Sequence, residues 1–429
     1  MRDRLRNTWQ FLRASLWFIP VLMGAAAIAL AITLLIHGSG VEEPEDYWLL
    51  YAGDTENARE LLSSLLTGMI TMTSLVVSIT MVVLTLAAGQ IGPRLIRNFI
   101  EDRVTQAVLG LFLADILYLL IVFRTIDGKR MGSAPHLAVS TGTGLTVLCL
   151  FVLLFYVHRQ ARSIIYDNVI RSVAAELRRA ADRLLPDEAR SDRPPHPVAG
   201  EDFAWVGLDR NGYVQTIDLG RLVAAARHAN AMVRLEIRPG HYVIEQGEHV
   251  AVHPASARAN ELSKRIRRAF VIGSERTPTQ DIEFGIRQLV EIATRALSPG
   301  INDVFTALAV IDNLPAALAH ILPRLPEPAV AYDGTGAVRV MRAVADHENI
   351  IGAAFDQIRQ AGSGHPAVLI RLADAIARLP SAALPDGVRR PLLEQLAMVL
   401  ADGERSITSA RDREILQARG RRAREWLDR

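Results

Sequence analysis

Four long apolar stretches in the first 160 residues dominate the pattern of hydrophobic and polar positions. They cover residues 16–36, 65–88, 104–123 and 137–157, and shorter polar segments separate them. A helix needs roughly 20 apolar residues to cross the hydrocarbon core of a bilayer. Inside that core every backbone amide needs a partner within the chain, which a helix provides. The pattern therefore predicts a four-helix transmembrane domain over residues 1–160.

The rest of the chain alternates between helix-like and strand-like patterns. Residues 161–202 predict a helical connector followed by a proline-rich linker. Residues 203–256 hold short runs with strand patterning at 213–217, 232–237, 242–244 and 249–252, separated by turns such as Pro239-Gly240, which predict a small β-rich module. A short helix is predicted over residues 219–228. Residues 257–429 have helical spacing, with helices predicted over 277–297 and 338–361 among others. At the start of the first of these, the Thr277 hydroxyl can cap the helix and Gln280 can reach back to it.

Arginine positions predict the orientation in the membrane. The N-terminal segment, the bend between the second and third spans and the segment after the fourth span are rich in arginine, whereas the first loop is acidic. Short cytoplasmic loops carry an excess of basic residues. The loop with Arg124, Lys129 and Arg130 opposes this bias but is outnumbered. We expect both termini in the cytoplasm.

The predicted fold class follows from these patterns. It is a membrane α-helical protein with four transmembrane helices plus a cytoplasmic α+β domain. That domain consists of the small β-module over residues 203–256 and a helical bundle over residues 257–429.

Composition narrows the functional classes. The 429 residues are 50% hydrophobic with a formal net charge of +2, and the arginines are scattered, so no nucleic-acid partner is expected. Cys149 is the single cysteine, which excludes an intrachain disulfide and a site of several thiolates. The histidines do not fall at ligand spacing, and no nucleophile–base pair or phosphate-binding glycine loop is visible. We expect no enzyme activity, no cofactor and no metal.

Hydroxyl side chains follow one face of the second predicted span. Steps of four, three, four and seven residues separate Thr67, Thr71, Ser74, Ser78 and Thr85. Hydroxyls offer donors and acceptors to hydrated ions without fixed charge, so this face can line a water-filled path. Alternatively, the hydroxyls lie at helix contacts and bond across the contact or back to carbonyls. A ring of identical subunits accommodates both interpretations.

Charged residues lie within and beside the predicted spans. Asp115 falls near the middle of the third span, where a carboxylate needs a cavity or a partner. Ion coordination, a proton relay or a structural hydrogen bond each explain it, with a hydroxyl of the second span or an arginine as the expected partner. Arg94, Arg97 and Arg103 are expected at the cytoplasmic mouth, where they either concentrate anions or anchor the chain to anionic lipid.

A turn between two predicted helices of the second half combines several conformationally special residues. They are Ser298, Pro299, Gly300, Asn302 and Asp303. Proline and glycine fix the reversal, and Asn302 or Asp303 can cap the next helix. The turn is either a helix–helix connection or an anion or ligand nest. In the preceding helix, Glu283, Arg287 and Glu291 lie one turn apart, which predicts ordinary ion pairs.

Three stretches carry a family resemblance. They are TLAAGQIGPRL at residues 85–95, RTPTQDIEFGIRQL at residues 276–289 and ALSPGIND at residues 296–303. The chain resembles a bacterial family of predicted membrane proteins of unknown function, the domain of unknown function 2254 family. The resemblance implies an integral protein of the bacterial inner membrane with a cytoplasmic domain, and it implies no activity.

These observations predict a homo-oligomeric ion channel or channel-like transporter. Four spans are too few to enclose a wide pore, so subunits have to combine, and the cytoplasmic domain assembles or gates the ring. The expected partners are membrane lipid, further copies of the chain and an inorganic ion. The alternative is a membrane-anchored scaffold or sensor, in which the spans are an anchor and the cytoplasmic domain binds a partner.

Overall fold

Two compact units make up the chain, Met1–Ile165 and Tyr166–Arg429, here called the N-terminal and C-terminal units. Each unit has a hydrophobic core of its own. The computed structural model describes residues 17–37, 51, 53–90, 102–126, 135–163, 166–186, 202–325, 327–380 and 384–428.

Long helices form the described part of the N-terminal unit. They are α1 (Phe18–His37), α2 (Thr55–Gln90), α3 (Arg103–Thr125) and α4 (His136–Ser163). Each is long and apolar enough to cross a membrane. The α3 helix packs against α1, α2 and α4, and it contributes Phe112, Tyr118 and Leu119 to the core. Asp102 starts α3 by accepting a hydrogen bond from the Thr105 amide at 3.1 Å.

Small residues let α1 and α3 approach closely. A Cβ atom added to Gly110 lies 3.1 Å from the Pro20 Cα and 2.7 Å from the Met23 sulfur. A Cβ atom added to Gly24 lies 2.9 Å from a methyl group of Leu117. Small residues at such crossings are typical of helix pairs in membranes, where close packing drives association.

Two small sheets lie in the C-terminal unit. The strands are β1 (Ala204–Val206), β2 (Gly212–Ile217), β3 (Met232–Leu235), β4 (Tyr242–Val243), β5 (Val250–His253), β6 (Phe270–Gly273), β7 (Val330–Tyr332) and β8 (Val338–Arg342). One sheet has the order β1-β5-β3-β8-β7 and the other the order β4-β2-β6. The β3–β8 pair is parallel, with Val233 beside Val340, and all other pairs are antiparallel.

Helices surround these sheets. They are α5 (Tyr166–Leu184), α6 (Leu219–His228), α7 (Asn260–Arg267), α8 (Glu283–Ala296), α9 (Val304–Ile321), α10 (His347–Ala361), α11 (Pro366–Ala377), α12 (Asp386–Ser406) and α13 (Ala410–Leu427). The α9 helix packs against α5, α8 and α11. It also satisfies the length and hydropathy criteria for a membrane span, so the described residues hold five candidate apolar helices.

Strands extend beyond the segment in which the sequence predicts them. β6, β7 and β8 all follow residue 256, and β8 occupies Val338–Arg342, where a helix is predicted. The run Val-Arg-Val-Met-Arg alternates apolar and polar residues over its first three positions, and its β-branched valines favour a strand. The following helix starts at His347, because the Asp346 carboxylate caps it by accepting from the Asn349 amide at 2.7 Å.

The helix predicted from Thr277 starts later, at Glu283. The expected capping glutamine, Gln280, does not reach back to the helix. Its side-chain oxygen accepts a hydrogen bond from the Ile217 amide at 2.8 Å, and this bond ties residue 280 to the end of β2. Residues 277–282 therefore form a connection between β6 and α8 and supply side chains to the site described below.

Candidate functional site

The five hydroxyl residues of the second predicted span lie on the outer side of α2. This hydroxyl stripe consists of Thr67, Thr71, Ser74, Ser78 and Thr85, all of them exposed. The helix packs on its own unit through Leu62, Met69, Val76 and Val83, which are buried and recur every seven residues. Positions 71, 78 and 85 follow the last three of these by two residues, or about 200° around the helix. The stripe therefore faces away from the helices that α2 packs against in the described part of its own unit.

Most of these hydroxyl groups are satisfied within the helix. Thr67, Thr71, Ser78 and Thr85 each donate to the carbonyl oxygen four residues earlier, at 2.8–3.0 Å. A hydroxyl that donates in this way still has lone pairs with which to accept a hydrogen bond. The geometry is thus compatible with contact to water, to a hydrated ion or to another helix.

Asp115 lies inside the helix bundle rather than on the hydroxyl stripe. Its side chain is fully buried, and its Oδ2 accepts a hydrogen bond from the Thr146 hydroxyl at 3.0 Å. The expected partner was a hydroxyl of the second span or an arginine, and this expectation is wrong because the Asp115 side of α3 packs against α4. Its Oδ1 has no hydrogen-bond partner among the described residues.

Tyrosine hydroxyls add polar groups to the interior of the bundle. The Tyr156 oxygen lies 2.5 Å from the Thr80 hydroxyl and accepts from the Gln160 side chain at 3.0 Å. The Tyr118 hydroxyl donates to the Ala138 carbonyl at 2.8 Å. Sequence reasoning missed both tyrosines, because each carries its oxygen at the end of a largely apolar ring.

Of the three arginines proposed for the cytoplasmic mouth, one lies in the described part of the chain. Arg94 and Arg97 lie outside the described residues, and Arg103 is exposed at the start of α3. A different arginine forms the ion pair at this end of α3. Arg159 on α4 donates to the Asp102 carboxylate at 3.0 Å and so links the two helices.

The Ser298–Asp303 turn connects α8 to α9 through its own backbone. The Ser298 carbonyl accepts from the amides of Ile301 and Asn302 at 3.0 and 2.8 Å, and Asn302 has a positive φ of 50°. Asp303 caps α9 by accepting from the Thr306 amide at 3.1 Å and from its hydroxyl at 2.6 Å. Pro299 and Gly300 lie at the exposed tip. These bonds are those of a helix–helix connection.

A buried ionic cluster in the C-terminal unit brings together charges that local spacing does not connect. It consists of Arg238, Arg276, Asp281, Glu283 and Arg287. The Arg276 Nε donates to the Asp281 carboxylate at 2.8 Å, and Arg238 donates to Glu283. Arg287 donates twice to the other Glu283 oxygen, at 3.1 and 2.9 Å. The predicted pair of Glu283 with Arg287 is present, but it is one of several ion pairs in a larger network.

Burial controls the protonation of this cluster. Burial raises the pKa of Asp281, against the effect of the adjacent Arg276 charge. Burial also acts to raise the pKa of Glu283, but Arg238 and Arg287 outweigh it and hold this pKa below its ordinary value. Burial lowers the pKa of His241, and the nearby Arg238 charge adds to this effect. With His241 neutral, the three arginines exceed the two carboxylates by at least one charge.

A glycine closes the turn over the cluster. Gly240 has a φ of 90°, which an L side chain rarely adopts. A Cβ atom there lies 2.3 Å from the Asp281 carboxylate and 2.5 Å from the Arg276 guanidinium. The predicted Pro239-Gly240 turn thus has a second role, because the absence of a side chain at Gly240 leaves space for the Arg276–Asp281 ion pair.

A cavity of about 250 Å³ lies beside the cluster, entirely within the C-terminal unit. Its wall combines residues from the end of α5, the β2–α6 and β3–β4 connections, the segment before α8 and the end of β8. Gln280, Asp281 and Ile282, from the second stretch that carries the family resemblance, form part of this wall. No sequence pattern signalled the cavity, because its wall comes from segments far apart in the chain.

Comparisons with known proteins identify a family and several relatives of the chain. The family model described as "Predicted membrane protein (DUF2254)" matches residues 13–378. The chain is similar to uncharacterised proteins of Mycobacterium bovis and of two strains of Mycobacterium tuberculosis. Each is 28% identical over 448 aligned positions, which cover all of this chain and 84% of the relative. No solved structure matches the chain.

Proposed function

We propose that this protein, which belongs to the DUF2254 family of predicted membrane proteins, is a homo-oligomeric ion channel or channel-like transporter. In this proposal it lies in the bacterial inner membrane with both termini in the cytoplasm, and its C-terminal unit assembles or gates the ring. The observation that carries the proposal is the position of the hydroxyl stripe. Its five side chains are exposed on the side of α2 opposite to the helix's own packing line.

The alternative environments of the stripe differ in energy. A helix face that contacts lipid gains most from large apolar side chains, and α2 has such residues on its flanks, with Ile70 and Val77 both exposed. Hydroxyls gain little from lipid but can accept hydrogen bonds from water or from a neighbouring helix. The segregation of hydroxyls from apolar residues supports a surface shared between subunits and water.

Assembly follows from the number of helices. The described apolar helices of the N-terminal unit share one core, so in this proposal a wide path needs several subunits. A ring in which each subunit turns its hydroxyl stripe inward creates a path lined by oxygens without fixed charge. Asp115 lies inside each subunit and has a role separate from the stripe.

Accessibility labelling tests the proposal directly. The variants Thr71→Cys, Ser74→Cys and Ser78→Cys should react with a membrane-impermeant thiol reagent in intact membranes. Val77→Cys is the matched control on the apolar flank of the same helix and should stay unreactive. The native Cys149 is buried, so its background should be low. Unreactive stripe positions in an otherwise folded protein would contradict the proposal.

Conductance provides the second test. The purified protein should conduct ions in planar bilayers, and Thr71→Leu and Ser74→Leu should reduce the current by replacing oxygens with apolar groups. Val77→Leu is the control that leaves the stripe unchanged. The channel proposal would be contradicted if the wild type carries no current in planar bilayers and both leucine variants behave like the wild type in transport assays.

A membrane-anchored scaffold or sensor is the second candidate, and the cavity of the C-terminal unit supports it. In this role the spans are an anchor, and the C-terminal unit binds a partner. The two candidates predict different cellular results. A scaffold or sensor with leucine at positions 71 and 74 should restore the function of a deletion strain, whereas a channel with these changes should not.

A further inference from the structure

The cavity of the C-terminal unit is lined by both apolar and charged side chains. Ile217, Leu219 and Ile237 are among the apolar ones, here called the apolar wall, and Arg183 and Arg342 are among the charged ones. Arg238 also lines the cavity and belongs to the buried ionic cluster. Binding sites for small molecules commonly combine a mainly apolar surface with a few convergent polar groups.

The positive charges around this cavity exceed the negative ones. Glu327 is compensated by Arg342, which donates to it at 2.9 Å. The buried ionic cluster contains one more arginine than carboxylates, as described above. Arg183 is exposed and has no ion-pair partner among the described residues. The excess favours an anion, because the partly buried walls weaken the screening of these charges by solvent.

Guanidinium donors remain available toward the cavity. Arg342 uses Nε for the Pro328 carbonyl and Nη2 for Glu327. Arg238 uses Nε for His241 and Nη2 for Glu283. A guanidinium has five N–H donors, so each of these two arginines retains donors that bond to none of the described residues. Their side chains are 22% and 14% exposed, respectively. Such partly buried donors usually bind water or a ligand.

We infer that this cavity binds a small organic anion. Arg183, Arg238 and Arg342 hold its carboxylate or phosphate group, and the apolar wall holds a short hydrocarbon portion. Arginine is suited to this task because its planar donors match the oxygens of carboxylates and phosphates. The inference is independent of the channel proposal, since the cavity lies wholly in the C-terminal unit.

The size of the cavity limits the ligand. A volume of about 250 Å³ corresponds to roughly eight waters at about 30 Å³ each. An anion with a few carbon atoms fits this space. Butyl phosphate is a suitable probe because it combines a phosphate group with four carbons, and butanol is its uncharged counterpart.

Calorimetric titration of the full chain in detergent tests the inference. Butyl phosphate should bind, butanol should not, and inorganic phosphate should bind at least about tenfold more weakly because it lacks the buried carbons. Butyrate, with the same hydrocarbon size, distinguishes a carboxylate site from a phosphate site. Binding of either organic anion supports the inference.

Variants assign the binding to the cavity. Arg183→Gln should weaken butyl phosphate binding by about tenfold, the effect of losing one charge-assisted hydrogen bond. Arg183 is exposed and forms no ion pair among the described residues, so this change should leave the melting temperature unaltered. Arg390→Gln is the matched control, since Arg390 is 86% exposed and pairs with Glu394 away from the cavity. It should bind like the wild type.

Several outcomes would overturn the inference. The first would be that neither organic anion binds at concentrations up to about 10 mM, where a site with a dissociation constant near 1 mM is mostly filled. The second would be that butanol binds as well as butyl phosphate. The third would be that the Arg183→Gln and wild-type chains bind butyl phosphate with equal affinity. The first two outcomes require no variant, so they decide the question even if a substitution perturbs folding.

Discussion

Asp115 and Glu283 are both buried carboxylates, but the two units of the molecule surround them with different partners. Glu283 in the C-terminal unit is 5% exposed and pairs with Arg238 and Arg287, with Arg276 a further 3.8 Å away. Asp115 in the N-terminal unit is fully buried and has one hydroxyl partner, Thr146. The first carboxylate is embedded in compensating charge, whereas the second has none among the described residues.

The difference separates a structural site from a functional candidate. A buried ion pair that loses one member leaves the other uncompensated, so the network around Glu283 is sensitive to any single change. An acidic residue in a membrane helix costs roughly 2.5–3.5 kcal/mol on insertion scales, and a single hydroxyl offsets little of this cost. We therefore interpret the Glu283 network as a requirement of the fold and Asp115 as a candidate for ion or proton handling.

Removal of the Glu283 charge should have the largest effect on stability. Glu283→Gln removes the carboxylate that pairs with Arg238 and Arg287, and the expected loss in free energy of unfolding is about 3–5 kcal/mol. Chemical denaturation of the full chain in detergent measures this loss. Glu261→Gln is the control, because Glu261 forms an exposed pair with Arg265 and its loss should change the stability much less. Equal losses in both variants would remove the contrast between buried and exposed pairs.

Gly240→Ala should have the next largest effect, about 2–4 kcal/mol, from backbone strain and overpacking together. The new methyl group meets the Arg276–Asp281 pair at less than 3 Å. Gly336→Ala is a matched control, since Gly336 also has a positive φ, 82°, but no atom within 4 Å of an added Cβ. It should lose only about 1 kcal/mol through strain. Similar values for the two variants would show that the ion pair moves freely.

Acidification should destabilise the C-terminal unit through His241. Its folded-state pKa lies below the unfolded value of 6.5. The neutral imidazole therefore contributes stability that is fully present above pH 6.5 and is lost as the pH falls toward the folded pKa. Melting temperatures measured between pH 7.5 and 5.5 should fall more steeply for the wild type than for His241→Gln. Parallel slopes would show that another group takes up the proton.

Asp115→Leu should have the smallest effect on stability, within about 1 kcal/mol, because it removes an incompletely bonded polar group from an apolar bundle. The Thr146 hydroxyl keeps its other partner, the Gly142 carbonyl at 3.0 Å. Under the proposed channel or transporter function, ion or proton transport should nevertheless be lost, and Asp115→Asn should behave in the same way. A large loss of stability with intact transport would reverse the comparison and make Asp115 the structural residue.

Local sequence patterns predict much of the fold, because helix capping and the spacing of apolar side chains act between residues that are close in the chain. The α6 helix is predicted and found at residues 219–228, since Asp218 caps it and the apolar positions have helical spacing. The strands β2 to β5 alternate between turn residues and are found within about two residues of their predicted positions. The β8 strand was missed because it is short and directly precedes a helix.

The site was less predictable because it depends on distant pairing. Arg238 and Glu283 are 45 residues apart, and neither has a neighbour in sequence that signals the other. Helical spacing revealed the Glu283–Arg287 pair but not its burial. Hydropathy also identified α9 as apolar without distinguishing a membrane environment from a protein interior, since both solvate apolar side chains.

The parallel pairing of β3 with β8 has a consequence for biosynthesis. Val340 emerges from the ribosome about a hundred residues after Val233, its neighbour in the sheet. Once β5 has also emerged and paired with β3, the other edge of β3 stays open until β8 is made, and a strand of another nascent chain can add to it. Translation that stops before residue 338 should thus yield a polypeptide that aggregates, even though its apolar N-terminal helices are complete.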